Sequence, residues 1–163
     1  YEGEFLDGQP HGRGTYTWAN KDRYTGKYLK GIRTDDKGVY SWANGDRYEG
    51  QFVTGKRTGK GTLIWADGES YEGDFVDGKR TGKGVYRNLN GDRYEGEFID
   101  GKRTGKGIFT LTSGESPELE LQDNKMFMLQ ELEFKDGVIV DVNGKYQKSK
   151  NESNSKKQEE PGP

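Results

Sequence analysis

No cysteine, one histidine and four prolines in 163 residues remove several chemistries at once. Without thiols there is no disulfide framework and no thiolate metal site, and the redox compartment stays open. A single histidine, His11, cannot build a His/Cys zinc site. Apolar residues are scarce as well, at 28% of the chain, too few for a thick two-layer core. No apolar run approaches the roughly 20 residues that span a bilayer as a helix, and no signal-peptide pattern is visible. A net charge of −2 supplies no global attraction to nucleic acid or to an anionic membrane. The chain opens at Tyr1 in phase with a repeat and without Met, so a fragment is expected.

What is present is glycine (26 residues), charge (33%) and aromatics (12%), set in register. Tyr1, Tyr24, Tyr48, Tyr71 and Tyr94 each open a segment Y-x-G-x-[F/Y], at spacings of 23, 24, 23 and 23. The run D-G-K-R-T-G-K-G occurs unchanged at 77–84 and 100–107. A period this regular marks an array of small units, each burying its apolar face on its neighbours. Disorder would also suit the polarity, but disordered chains lack aromatics and alternation, so it is rejected for 1–116.

The units read as strands. Tyr48, Gly50 and Phe52 fall at i, i+2 and i+4 and share one face of an extended chain, as do Gly59, Gly61, Leu63 and Trp65. A helix with so many interior glycines would lose about 1 kcal/mol at each. Taking Gly55-Lys56-Arg57-Thr58 as the turn pairs Tyr48 with Trp65, Gly50 with Leu63 and Phe52 with Gly61, so that rings meet glycines across the ladder. Between units, Ala43-Asn44-Gly45 and its copies are read as three-residue loops ending in a left-handed glycine, which pairs Tyr40 with Tyr48. A two-residue Asn-Gly turn would send alternate ring sets to opposite faces. Lys21 stands where the other loops have glycine and adds strain of order 1 kcal/mol. The second unit has one extra residue within 31–38 and no counterpart of Gly59, which predicts a bulge or longer loop. The fold class is therefore all-β: a single-layer antiparallel meander of stacked β-hairpins.

Catalytic motifs are missing. His11 reads as a turn side chain bonded to backbone. Lys60-Gly61-Thr62 and its copies fail the Walker A spacing, and no nucleotide, metal or other cofactor is implied. Glu49, Glu72, Glu95, Asp74 and Glu97 lie at repeat spacing on the polar face, where no cleft would tune them for acid–base work.

The pattern Y-x-G-x-[F/Y]-x-x-G-x-x-x-G-x-G, iterated over 1–116, resembles the MORN (membrane occupation and recognition nexus) repeat. Units at 1–23, 24–47, 48–70, 71–93 and 94–116 carry it. The family's G-x-x-H-G-x-G step stands as Gly8-Gln-Pro-His11-Gly12-Arg-Gly14, with Thr58, Thr81 and Thr104 replacing the histidine in the later units. The resemblance implies a non-enzymatic scaffold for protein partners, with self-association open and attachment at membranes or the cytoskeleton. The alternative it also allows is an accessory module beside a catalytic domain. A cytoplasmic location, or the cytoplasmic face of a membrane, is favoured.

Two surfaces carry the functional expectation. Tyr24, Tyr28, Tyr40, Trp42, Tyr48, Phe52, Trp65, Tyr71, Phe75, Tyr94 and Phe98 share one face, a groove for an extended or helical segment of a protein partner. Lys56-Arg57, Lys79-Arg80 and Lys102-Arg103 recur at one place in three units. They read as a basic edge about 9–10 Å per step for anionic lipid, and too short for nucleic acid. After Ser116 the repeat lapses. Glu118–Leu121, a hairpin at 132–142 and a turn at Asn143-Gly144 form an expected cap at 117–146. Met126–Leu129 is open between strand and short helix, and 147–163 reads as a disordered tail or linker.

Overall fold

The computed structural model describes residues 1–113 and, for the backbone alone, strand segments at 118–122, 125–128, 132–135, 138–141 and 146–147. The expected tail beyond 147 and the Asn143-Gly144 turn lie outside the described residues. The molecule is all-β, an open antiparallel meander of eleven strands up to Thr110: β1 (Glu2–Leu6), β2 (Gln9–Thr17), β3 (Arg23–Leu29), β4 (Ile32–Arg33), β5 (Asp35–Ser41), β6 (Arg47–Val53), β7 (Lys56–Ile64), β8 (Ser70–Val76), β9 (Lys79–Arg87), β10 (Arg93–Ile99) and β11 (Lys102–Thr110). Further strands follow at Glu118–Gln122, Lys125–Met128, Leu132–Lys135, Val138–Asp141 and Tyr146–Gln147, so Met126 lies in a strand and not in a helix. Two compact units, 1–79 and 80–162, are built by the same rules.

The hairpin within each repeat differs from the register expected above. Its turn is two residues, not four: Asp7-Gly8, Lys30-Gly31, Thr54-Gly55, Asp77-Gly78 and Asp100-Gly101. Both residues are left-handed each time, with φ of 47–49° and then 76–84°. That is the pattern of a type I′ turn, whose twist suits a hairpin. Val53 therefore pairs with Lys56 and Phe52 with Arg57. The register then slips, so that Gly50 faces Gly61 and Tyr48 faces Leu63. The slip places Gly59 and Lys60 in a bulge, with Gly59 left-handed at φ 59° and the Lys60 N–H donating to Gln51 Oε1 at 3.3 Å. Because the bulge adds two residues, side-chain parity is kept and the rings of both strands stay on one face. The first and fifth repeats repeat the slip, pairing Gly3 with Gly14 and Gly96 with Gly107.

In the second repeat the expected bulge is present, built differently. Between β5 and β6 the register shifts between Asp35 and Gly38. The buried Asp35 carboxylate fills the gap, accepting the N–H groups of Lys27 (2.8 Å) and Lys37 (3.0 Å), with Arg13 at 3.7 Å. Burial raises its pKa, but these two N–H groups and the Arg13 charge outweigh it and hold the carboxyl below its ordinary range.

The loops between repeats follow the expected three-residue form. Tyr40 pairs with Tyr48, the Trp42 N–H donates to Asp46 O, and the Gly45 N–H donates to Trp42 O. Lys21 occupies the glycine position with φ 74°.

The core is one face of rings. Tyr24, Tyr48, Tyr71 and Tyr94 are each 0% exposed. The rings of Tyr24, Tyr48 and Tyr94 each lie over the glycine two residues on, and the space is tight: a Cβ added at Gly50 would stand 2.5 Å from the Tyr48 hydroxyl. The hydroxyls turn back to the chain, Tyr48 to Gln51 O (3.2 Å) and Tyr71 to Asp74 O (3.1 Å). Glycine inside a strand is thus the seat of a tyrosine, as the ring-to-glycine reading expected, though on a different pairing.

Candidate functional site: the ring face and its arginines

The phenylalanines tie one repeat to the next. Phe52 stands edge-on to Tyr24 (4.9 Å) and Tyr48 (5.3 Å), and Phe75 to Tyr48 (5.0 Å) and Tyr71 (5.3 Å). Edge-to-face pairs add roughly 0.5–1.5 kcal/mol each beyond area burial. Of the expected groove residues, Tyr24, Tyr28, Tyr40, Trp42, Tyr48, Phe52, Tyr71, Phe75, Tyr94 and Phe98 are buried; Trp65 is half-buried. The rings are therefore first of all the protein's own core. Trp18, Tyr16 and Tyr86 are half-buried on the same chain pattern.

The basic edge does not hold together as one surface. Lys56, Lys79 and Lys102 are exposed, whereas Arg57 and Arg80 are only 7% and 8% exposed and Arg103 is half-buried. The reason is the two-residue turn. It puts the Lys-Arg dipeptide in a strand, where successive side chains point to opposite faces. Arg57, opposite Phe52, takes the ring face; Lys56, opposite Val53, takes the other. The Arg57 guanidinium lies over Trp42 (5.1 Å), Tyr48 (5.5 Å) and Phe75 (5.9 Å). In the second unit Arg80 lies over Phe98, and Arg103 over Tyr86 and Tyr94. Guanidinium on aromatic faces is favourable by about 0.5–2 kcal/mol, more when desolvated.

The most accessible of these cations in the first unit is Arg33, which the sequence reading passed over. It lies over Trp18 (5.6 Å), Tyr24 (5.7 Å), Tyr40 (5.2 Å) and Phe52 (5.7 Å). It is half-buried and makes no ion pair among the described residues. Across the ladder from it, the Tyr28 hydroxyl is buried without a hydrogen-bond partner among the described residues, as is the Trp42 indole Nε1 under Arg57. Burial lifts the pKa of Tyr40 to about 12, its hydroxyl donating to Asp22 Oδ2 at 2.9 Å. These phenols stay neutral donors at physiological pH. The signal for Arg33 was its place two residues after the Lys30-Gly31 turn, equivalent to that of Arg57 after Thr54-Gly55, and the extra residue of that repeat obscured it.

Both long edges carry backbone ties between repeats. At the hairpin tips, the turn glycine donates its N–H to the preceding repeat: Gly31 to Pro10 O, Gly55 to Arg33 O, Gly78 to Arg57 O and, in the second unit, Gly101 to Arg80 O, at 2.8–3.0 Å. At the loop edge an aspartate does the same work. Asp22 Oδ1 accepts the Ala43 N–H (2.8 Å), Asp46 Oδ1 the Ala66 N–H (2.8 Å) and Asp92 Oδ1 the Thr112 N–H (3.0 Å). His11 is not in a turn: it lies in β2, its carbonyl accepts the Tyr1 hydroxyl, and its Nδ1 has no hydrogen-bond partner among the described residues.

The polar face bears carboxylates in solvated pairs, Arg47–Glu49 at 2.7 Å and Lys60–Asp74 at 2.8 Å. At the hairpin tips, on the face opposite the rings, the first unit exposes a row of Leu6, Leu29, Val53 and Val76 that the repeat pattern alone does not single out, and in the second unit Ile99 holds the equivalent position. Each is 43–61% exposed.

The chain belongs to the MORN-repeat family: its repeat model matches residues 1–23, 37–47, 48–70, 71–93 and 94–116, together more than half of the chain. The gap at 24–36 is where the second repeat replaces the glycine bulge by Asp35. No curated protein matches the sequence. Among solved structures, the chain is similar to virginiamycin B lyase from Staphylococcus aureus at 12% identity and a TM-score of 0.25, over 83% of this chain and 54% of the lyase. The chain thus spans about half the length of that protein, and a likeness this weak supports no reading of its activity.

Proposed function

We propose that the protein is a non-catalytic repeat scaffold that holds an extended, acidic segment of a protein partner on its ring face, with Arg33 as the anchoring cation. The supporting observation is the state of that guanidinium. It is fixed over four rings, half-exposed, and carries no carboxylate partner among the described residues. A partner carboxylate gives it a charge-assisted, bidentate bond. The flanking Trp18 edge accommodates apolar neighbours. The buried rings preorganise the surface without themselves being the contact.

The test uses the whole chain and an extended peptide of alternating glutamate and leucine, followed by tryptophan fluorescence. Saturable binding is expected, with a loss of about tenfold or more in Arg33→Gln, since one charge-assisted bond contributes about 1.5–3 kcal/mol. Equal binding of a lysine–leucine peptide, or no effect of Arg33→Gln, overturns the reading.

The tip row favours a second reading, attachment to an anionic membrane. Exposed Val53 pairs with exposed Lys56 across its hairpin, and Val76 and Lys79 are exposed as well, an aliphatic and basic fringe that suits a headgroup boundary. Lys56 is partly neutralised by Asp77 at 2.9 Å, which weakens it. Co-sedimentation with phosphoinositide vesicles at low and high salt separates the two, since attachment by the lysines collapses with salt. A role as accessory array of a larger enzyme, and self-association, are compatible with either surface.

A further inference from the structure

We propose that Asn90 is a site of spontaneous deamidation, and that Asn44, in the same Asn-Gly dipeptide of a matching loop, is protected from it. The two loops have the same backbone. Trp42 N–H donates to Asp46 O and Gly45 N–H to Trp42 O; Asn88 N–H donates to Asp92 O and Gly91 N–H to Asn88 O. Both glycines are left-handed, φ 100° and 85°. What differs is the carboxamide. Asn44 Oδ1 accepts the Asp46 N–H (3.0 Å) and its Nδ2 donates to Asp46 Oδ2 (3.0 Å). Asn20 and Asp67 cap their own loops in the same way, accepting the N–H groups of Asp22 and Glu69.

In the fourth loop, asparagine replaces tryptophan at position 88, and this residue takes over the capping. Asn88 Oδ1 accepts the N–H groups of both Asn90 and Asp92 at 3.0 Å, and its Nδ2 donates to Asp92 Oδ2 at 3.1 Å. The Asn90 carboxamide is left with no hydrogen bond among the described residues, on an exposed loop position. It is free to rotate so that its Cγ meets the next backbone nitrogen, and glycine there offers no side chain to obstruct the approach.

The step is self-contained. The deprotonated Gly91 nitrogen adds to Asn90 Cγ, the Cγ–Nδ2 bond breaks and ammonia leaves with the proton, closing a five-membered succinimide. Water then opens either carbonyl, giving aspartate or isoaspartate. Either product places a new carboxylate beside Asp92, whose Oδ1 holds the Thr112 N–H. Isoaspartate also lengthens the loop backbone by one methylene. The reaction therefore loosens the tie between successive loops at this edge and supplies a substrate for an isoaspartyl-directed methyltransferase.

The whole chain is incubated in mildly alkaline buffer and digested with trypsin. The dipeptides fall in separate fragments, 38–47 and 88–93, and deamidation is read as a mass gain of about 1 Da. The expected result is conversion at Asn90 several-fold faster than at Asn44 in the folded chain, and equal rates in urea. Asn88→Ala returns the Asp92 N–H to Asn90 and slows it. Equal rates in the folded chain, or a faster Asn44, overturn the proposal; so does an Asn90 rate that Asn88→Ala leaves unchanged while far-ultraviolet circular dichroism shows the fold intact.

Discussion

Replacing Gly61 by alanine tests how the repeat makes its core. Gly61 has no left-handed φ, so the substitution adds one methyl group and no backbone strain. That methyl would stand 2.5 Å from Cε2 and Cζ of Tyr48, closer than carbon atoms approach. The ring cannot yield inward, because it is fully buried between Phe52 and Phe75. Overfilling of this kind costs about 1–3 kcal/mol. Displacing the ring also takes its hydroxyl from Gln51 O, a further loss of about 1 kcal/mol. A destabilisation of about 2–4 kcal/mol is expected, measured as a shift in the urea midpoint at unchanged slope. The same alanine in a Tyr48→Ala background should be close to neutral, since nothing remains to clash. Additive losses in that double-mutant cycle, or a Gly61→Ala cost below about 0.5 kcal/mol, would refute the claim that glycine is the seat of the tyrosine.

Four further outcomes are expected. Arg57→Lys should destabilise by about 1–2 kcal/mol, because a point charge cannot replace a planar guanidinium on three rings. Lys56→Ala should stay within about 0.5 kcal/mol, its ion pair with Asp77 being exposed; thermal unfolding followed by tryptophan emission compares the two. Thr54→Asn should stabilise by about 1 kcal/mol in urea unfolding, since a β-branched residue is strained at φ 49° and Asn-Gly suits the type I′ turn. Asp35 has its folded pKa depressed below the ordinary 3.8, so its contribution is complete above that value and is lost as pH falls through the folded pKa. Asp35→Asn should flatten the acid limb of a stability-against-pH curve, and an unchanged limb would remove Asp35 from the account of the bulge.

Much of the fold was legible because the repeat multiplies each signal. Tyrosines at 23-residue spacing gave the phase, i, i+2 alternation gave strands, and parity chose the three-residue loop that pairs Tyr40 with Tyr48. The hairpin register was misread because Lys56-Arg57 looks like a loop. The turn signal was present in Asp7-Gly8, Asp77-Gly78 and Asp100-Gly101, but Thr54-Gly55 hides it in the repeat used for the register. The two-residue bulge then restores parity, so both registers place the rings on one face and alternation cannot tell them apart. That ambiguity carried into the candidate site. A loop would have left both basic residues in solvent, while the strand sends lysine and arginine to opposite faces. Arg33 went unseen for a related reason: the extra residue beyond it breaks the copy that would have aligned it with Arg57.

Hydroxyl-radical footprinting of the whole chain, with and without the glutamate–leucine peptide, tests the partner surface most directly. Loss of reactivity at Trp18 with unchanged Val53 and Val76 is the result expected of a partner seated on the ring face over Arg33. Protection at Val53 and Val76 with Trp18 unchanged would contradict it and move the binding surface to the hairpin tips.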